Sequence, residues 1–121
     1  MKKTVLLFGF GSEEAAAAKR AILPIGAAVR AVPDEEQSRT LGSLLGLAED
    51  EIRNGTPSVE GKMLLMAGFI GNDTDRLLAA MRKAGFQRDV LKAVATPTNI
   101  GWTPGELWNE IHREHLTMSG R

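Results

Sequence analysis

Strand-like and helix-like segments alternate along this 121-residue chain, and the alternation predicts an α/β fold. Three observations carry the prediction. Apolar, β-rich runs recur at residues 4–8, 27–32, 62–69 and 90–95. Helix-start residues follow each run: Ser12, then Ser38 or Thr40, then Asn72, then Thr103. Gly, Pro and Asn mark the bends between them. Strands that alternate with helices pair in parallel through right-handed crossovers. The expected architecture is a small three-layer α/β/α domain over residues 1–121, with a four-stranded parallel sheet in the order 2-1-3-4. No internal repeat or second domain is evident in the sequence.

The first run, TVLLF, is apolar after its threonine, which predicts a strand covered on both faces. Gly9-Phe10-Gly11-Ser12 then leads into a helix to about Leu23, with Glu13 and Glu14 favourably placed in its first turn. Ala15, Ala18 and Ile22 form a thin apolar stripe suited to close packing on the sheet. Pro24 stops the helix and Gly26 turns the chain. Residues 27–32 form the second strand, with Arg30 its only charge and Pro33 its end. Ser38 or Thr40 caps a short helix through Leu47; Gly42 and Gly46 each weaken it by about 1 kcal/mol relative to alanine. Residues 48–61 predict a surface connection, with a helical turn at 49–53 and turn signals at Asn54-Gly55 and Pro57.

The third strand spans 62–69, and Asn72 caps the helix that carries Leu77, Leu78 and Met81. Gly85 and Phe86 predict a Schellman ending against Met81. The densest local signals lie in Arg88 to His115, RDVLKAVATPTNIGWTPGELWNEIHREH. Its apolar run holds Lys92, expected at a strand end or sheet edge where the ammonium reaches water. Pro97 lacks an amide hydrogen and ends the ladder. Thr103, Pro104 and Glu106 spell a capping box, with Trp102 and Leu107 as its hydrophobic staple. Leu107, Ile111 and His115 share one stripe of the last helix; Trp108 and His112 share the next.

The run LKAVATPTNIGWTPGELWNEIHREH resembles the signature of the bacterial domain of unknown function 3783. The matching positions are Lys92, Ala93, Thr96, Pro97, Thr98, Asn99, Trp102, Thr103, Leu107, Glu110, Glu114 and His115. The opening KKTVLLFGFGSEEA and TLGSLLGL, residues 40–47, are also similar to that family, and the likeness is weakest over 48–61. The resemblance implies no activity.

Composition narrows the function classes. Fifteen basic and fifteen acidic side chains balance to zero, which argues against a nucleic-acid partner. No Cys is present, so disulfides, thiolate metal sites and cysteine nucleophiles are excluded. No apolar run approaches the roughly 20 residues of a membrane span, and the short N-terminal run reads as a strand and not a signal peptide. A cytoplasmic location without membrane association is expected. Gly9-Phe10-Gly11 lacks the third glycine of a dinucleotide fingerprint, because Glu14 stands there. No Walker-type lysine follows. His112 and His115, on a helix end, are too few for a metal site and instead suit the helix dipole. No cofactor and no metal are expected.

In an open parallel sheet, ligands bind off the carboxyl ends of the strands where strand order reverses. That rule gathers Gly9, Gly11, Ser12, Asn72, Asp73, Thr96, Thr98 and Asn99 on one rim as the candidate ligand-binding residues. The same residue types also serve as turn and cap residues. The favoured expectation is a small binding or regulatory module with its site on that rim, for a small polar ligand or a protein partner. The alternative is an enzyme acting on a small polar or phosphorylated substrate through Thr98, Asn99 and Asp73; no catalytic set assembles from the sequence. A third expectation is oligomerisation through the last helix, with Trp102 or Trp108 exposed.

Overall fold

The strand runs become a four-stranded sheet in the order β2-β1-β3-β4 in the computed structural model, which describes residues 2–49, 51–86 and 90–119, with side chains through residue 113. The strands are β1 (Thr4–Phe8), β2 (Ala28–Val32), β3 (Lys62–Ala67) and β4 (Val90–Val94). The helices are α1 (Ser12–Ile22), α2 (Leu41–Leu44), α3 (Asp73–Lys83) and α4 (Pro104–Ser119). One-turn 3-10 helices follow α1 at Leu23–Ile25, β2 at Asp34–Glu36 and β4 at Asn99–Gly101. Arg88, Asp89 and the His115 side chain lie outside the described residues.

Strand order matches the expectation, but strand direction does not. β1 pairs with β2 in parallel and β3 with β4 in parallel, whereas β1 and β3 are antiparallel, with Thr4 opposite Ala67 and Phe8 opposite Met63. The sheet is therefore mixed. The cause lies in the connection from β2 to β3. It runs out through residues 38–44 and comes back through 51–53. The two legs are pinned by an antiparallel bridge between Arg39 and Ile52. Thr40 N–H donates to the Glu51 carbonyl at 3.2 Å, and Arg53 N–H donates to the Ser38 carbonyl at 2.8 Å. An excursion that returns to the edge it left delivers β3 there, and β3 must then run back across the sheet. Among the described residues of 49–53 no helical turn forms, because 51–53 make the returning leg.

The alternation of side chains along each buried strand separates two apolar layers. Val5, Leu7, Leu64 and Met66 face α1 and α3, together with Ala18, Ile22, Leu77 and Met81. Leu6, Phe8, Met63 and Leu65 face α2 and α4, together with Leu41, Leu44, Leu107 and Trp108. This is the three-layer arrangement, with α1 and α3 on one face and α2 and α4 on the other.

The mixed sheet also exposes a duplication that is not evident from the sequence read alone. Strand–helix–strand–helix occurs twice, and the halves β1-α1-β2-α2 and β3-α3-β4-α4 meet at β1 and β3. A constant spacing relates Lys3 to Lys62, Gly9-Phe10 to Gly68-Phe69, Ala21 to Ala80 and Gly26 to Gly85. Gly9 and Gly68 have φ of 78° and 76°, and Gly26 and Gly85 have 82° and 97°, so equivalent bends adopt equivalent left-handed conformations. Arg30-Ala31-Val32 answers Lys92-Ala93-Val94, and Thr40-x-Gly42-x-Leu44 answers Thr103-x-Gly105-x-Leu107. A pseudo-two-fold axis normal to the sheet, between β1 and β3, relates the two halves.

Candidate functional site

The eight rim residues fall on two opposite edges of the sheet. Gly9, Gly11 and Ser12 follow the carboxyl end of β1, which the register places beside the amino end of β3. Asn72 and Asp73 follow β3, and Thr96, Thr98 and Asn99 follow its parallel neighbour β4 on the other edge. The expected common rim does not form, because β1 runs against β3.

Most of these residues are committed to their own bends. A Cβ at Gly9 would collide with the Gly61 carbonyl, so the glycine serves a close backbone approach. Gly11 N–H donates to Glu14 Oε1 at 3.0 Å, making Gly11 the cap of α1, and exposed Ser12 is its first residue. Asn72 caps α3 without a side-chain hydrogen bond; Asp73 Oδ2 accepts from Ile70 N–H at 3.0 Å. Thr96 and Asn99 bond reciprocally: Thr96 N–H donates to Asn99 Oδ1 at 2.8 Å, and Asn99 N–H donates to Thr96 Oγ1 at 3.0 Å. Asn99 Nδ2 also donates to the Val94 carbonyl at 3.0 Å, and the residue is buried. Thr98 is exposed beside it.

One ion pair on each edge ties the first repeat to the second. Lys3, just before β1, meets Asp73 at the start of α3 at 3.2 Å. Lys62, which opens β3, meets Glu14 in the first turn of α1. The pseudo-two-fold exchanges one pair for the other. The Lys62 ammonium and the Gly11 amide hold the Glu14 carboxyl below the usual carboxylate range. The Ile70 amide, with help from Lys3 and Arg76, does the same for Asp73. Both Asp73 carboxylate oxygens are thus occupied, Oδ1 by Lys3 and Oδ2 by the Ile70 amide, which weakens the catalytic reading of Asp73.

The structure opens a different site, off the edge where β2 ends. Asp34, Gln37 and Ser38 form one wall and Arg53 to Val59 the other, around a cavity of about 320 Å³. Ligand pockets begin at about this volume. Buried Gln37 holds the walls in place: its Oε1 accepts from Val59 N–H at 3.2 Å, and its Nε2 donates to Asp34 Oδ1 at 3.3 Å. Arg53 donates to Glu51 Oε2 at 2.8 Å and lies 3.6 Å from Glu106 Oε1. Glu106 also accepts from Thr103 N–H at 2.9 Å in the capping box of α4, so the cleft wall and that helix start share a carboxylate. Asn54, Thr56 and Ser58 complete a lining rich in hydrogen-bonding groups. Sequence reading took 48–61 for a plain connection. No local signal marks it as a site, because Gln37 and Val59 meet only in the fold.

The Thr103–Glu106 box is reciprocal, with Glu106 N–H donating to Thr103 Oγ1 at 3.4 Å, and Trp102 and Leu107 join one apolar cluster as the staple requires. Lys92 lies mid-strand on the edge strand β4, its ammonium donating to the Val90 carbonyl at 2.9 Å. Trp108 is buried against Gly61 and stacks on His112 at 5.4 Å, and Trp102 is half-buried. Among the described residues, no group of three or more His, Asp or Glu is placed to hold a metal ion, and no helix is long and apolar enough to cross a membrane.

Residues 62–118 match the family model described as Domain of unknown function (DUF3783). The matched segment begins at β3 and coincides with the second repeat; the similar stretches in the first repeat lie outside it. No curated protein and no solved structure matches the chain.

Proposed function

For a chain whose residues 62–118 match the model of the domain of unknown function 3783 family, we propose a small ligand-binding module whose site is the cleft between residues 34–38 and 53–59. One observation carries this reading: a concave, polar-lined cavity built between β2 and the linker that joins the repeats, with a carboxylate and a guanidinium in its walls. Such a lining suits a compact polar molecule bearing both donors and acceptors, charged at one end or at both. The cleft keeps the strand-end logic for β2 alone, since Asp34 follows its carboxyl end.

Isothermal titration of the full chain against a panel of amino acids, sugars and carboxylates tests the proposal. A binder should raise the unfolding midpoint, and Arg53→Ala and Ser58→Trp should each abolish its heat of binding while leaving the fold intact. Binding that survives both substitutions sinks the cleft as its site.

A further inference from the structure

The pseudo-two-fold axis emerges between α1 and α3, and a second cavity lies there, on the face opposite α2 and α4. It is larger, about 510 Å³, and different in chemistry. Its floor is Ala21, Pro24 and Ile25 from the first repeat and Ala79, Ala80 and Ala84 from the second. Ala21 and Ala80 are equivalent positions, so each repeat contributes the same small residue to the groove. Its rim is Arg20, Arg76 and Lys83, and no lining residue is acidic.

Two of the three cations are not consumed internally. Among the described residues Arg20 and Lys83 form no ion pair, and Arg76 reaches Asp73 at only 3.9 Å while donating to the Pro24 carbonyl at 3.4 Å. Leu23, next to Pro24, is 74% exposed. Small side chains on the floor let another backbone approach closely, and the one-signed rim selects its charge. We propose that this groove docks an acidic amphipathic helix of a protein partner, its apolar stripe on the alanines and its carboxylates on Arg20, Arg76 and Lys83.

The test uses the full chain, isotope-labelled, and two synthetic amphipathic peptides with the same Leu/Ala face. One carries Glu on its polar face and the other Lys. The Glu peptide should shift the amide resonances of Ala21, Ala79, Ala80 and Ala84 and bind at least about tenfold tighter than the Lys peptide. The charge reversal R20E/K83E, at exposed positions in the last turns of α1 and α3, should invert that preference in a chain that still unfolds cooperatively, with its midpoint lowered only slightly. Equal binding of both peptides, or shifts outside the groove, overturns the proposal. So does saturation by dodecanoate with no response to the Glu peptide, which would assign the groove to an acyl chain. Sedimentation of the free chain as a dimer that R20E/K83E dissolves would assign it to a second copy and overturn it likewise.

Discussion

The two repeats follow one plan, yet the polar cleft between residues 34–38 and 53–59 lies against the first. In the second, the bend after β4 closes on itself through Thr96 and Asn99, and α4 runs from Pro104 to Ser119. In the first, the 3-10 turn after β2 carries Gln37, which reaches across to the Val59 amide of the linker, and α2 ends after Leu44. The shorter helix leaves room that the linker between the repeats fills, and the linker supplies the second wall of the cleft. The comparison teaches that a duplicated fold can acquire a site from the one segment that is not duplicated.

Equivalent substitutions in the two halves sharpen that comparison. The largest difference is expected at the glycine two residues after each helix cap. A Cβ on Gly105 would collide with the Pro57 carbonyl of the linker, whereas one on Gly42 would meet the Ile100 carbonyl at 3.1 Å. Gly105→Ala should therefore cost about 3 kcal/mol in denaturant unfolding. Gly42→Ala should stay within about 1 kcal/mol of wild type, because helix propensity offsets the tight contact. Equal costs would mean that the linker does not press on α4.

Next in size is Asn99→Ala. It strips partners from the Thr96 amide and the Val94 carbonyl and should cost about 2 kcal/mol. Asp34→Ala removes one weak acceptor, at 3.3 Å from Gln37 Nε2, and should cost about 1 kcal/mol, less than Asn99→Ala. A larger cost at Asp34 than at Asn99 would overturn that order. The caps should differ less. Thr103→Ala should cost about 1 kcal/mol. Thr40→Ala should cost somewhat less, because Thr40 accepts from Ser43 N–H at 3.3 Å without the reciprocal glutamate of the second repeat. A costlier Thr40→Ala reverses the ranking.

The smallest expected effect is a slope. Glu14 and Asp73 both titrate below their ordinary values in the folded chain. Each therefore contributes stability above the unfolded-state carboxyl pKa of about 4, and that contribution is lost as pH falls through the lower folded value. Glu14→Gln and Asp73→Asn should each flatten the acid limb of stability against pH. Asp73→Asn should flatten it more, since its side chain is 6% exposed against 39% for Glu14. Unfolding midpoints measured down to about pH 2 decide this, and parallel curves for wild type and variants would reject the two staples.

Local signals made most elements legible. The capping box at Thr103, the Schellman ending at Gly85 (Phe86 N–H donates to the Met81 carbonyl at 3.0 Å) and the run of β1 all act between near neighbours in sequence. The candidate site was less legible. Thr96, Asn99 and Asp73 carry the right chemistry for a ligand, but they spend it on their own turns. The cleft residues Gln37 and Arg53 show their roles only once two distant segments are pinned together.

Sequence alone determined which segments are strands and which are helices and the two-sided burial of the central strands, because these follow from periodicity and capping within a few residues; the strand order also came out as expected, whereas Gly11 and not Ser12 caps α1 and α2 ends at Leu44 and not Leu47. Tertiary structure decided the direction of β3, the pseudo-two-fold and therefore which bends share an edge. The reason is physical: whether a connection crosses a sheet or returns along it depends on hydrogen bonds such as Thr40 to Glu51 and Arg53 to Ser38, between segments that no local pattern couples.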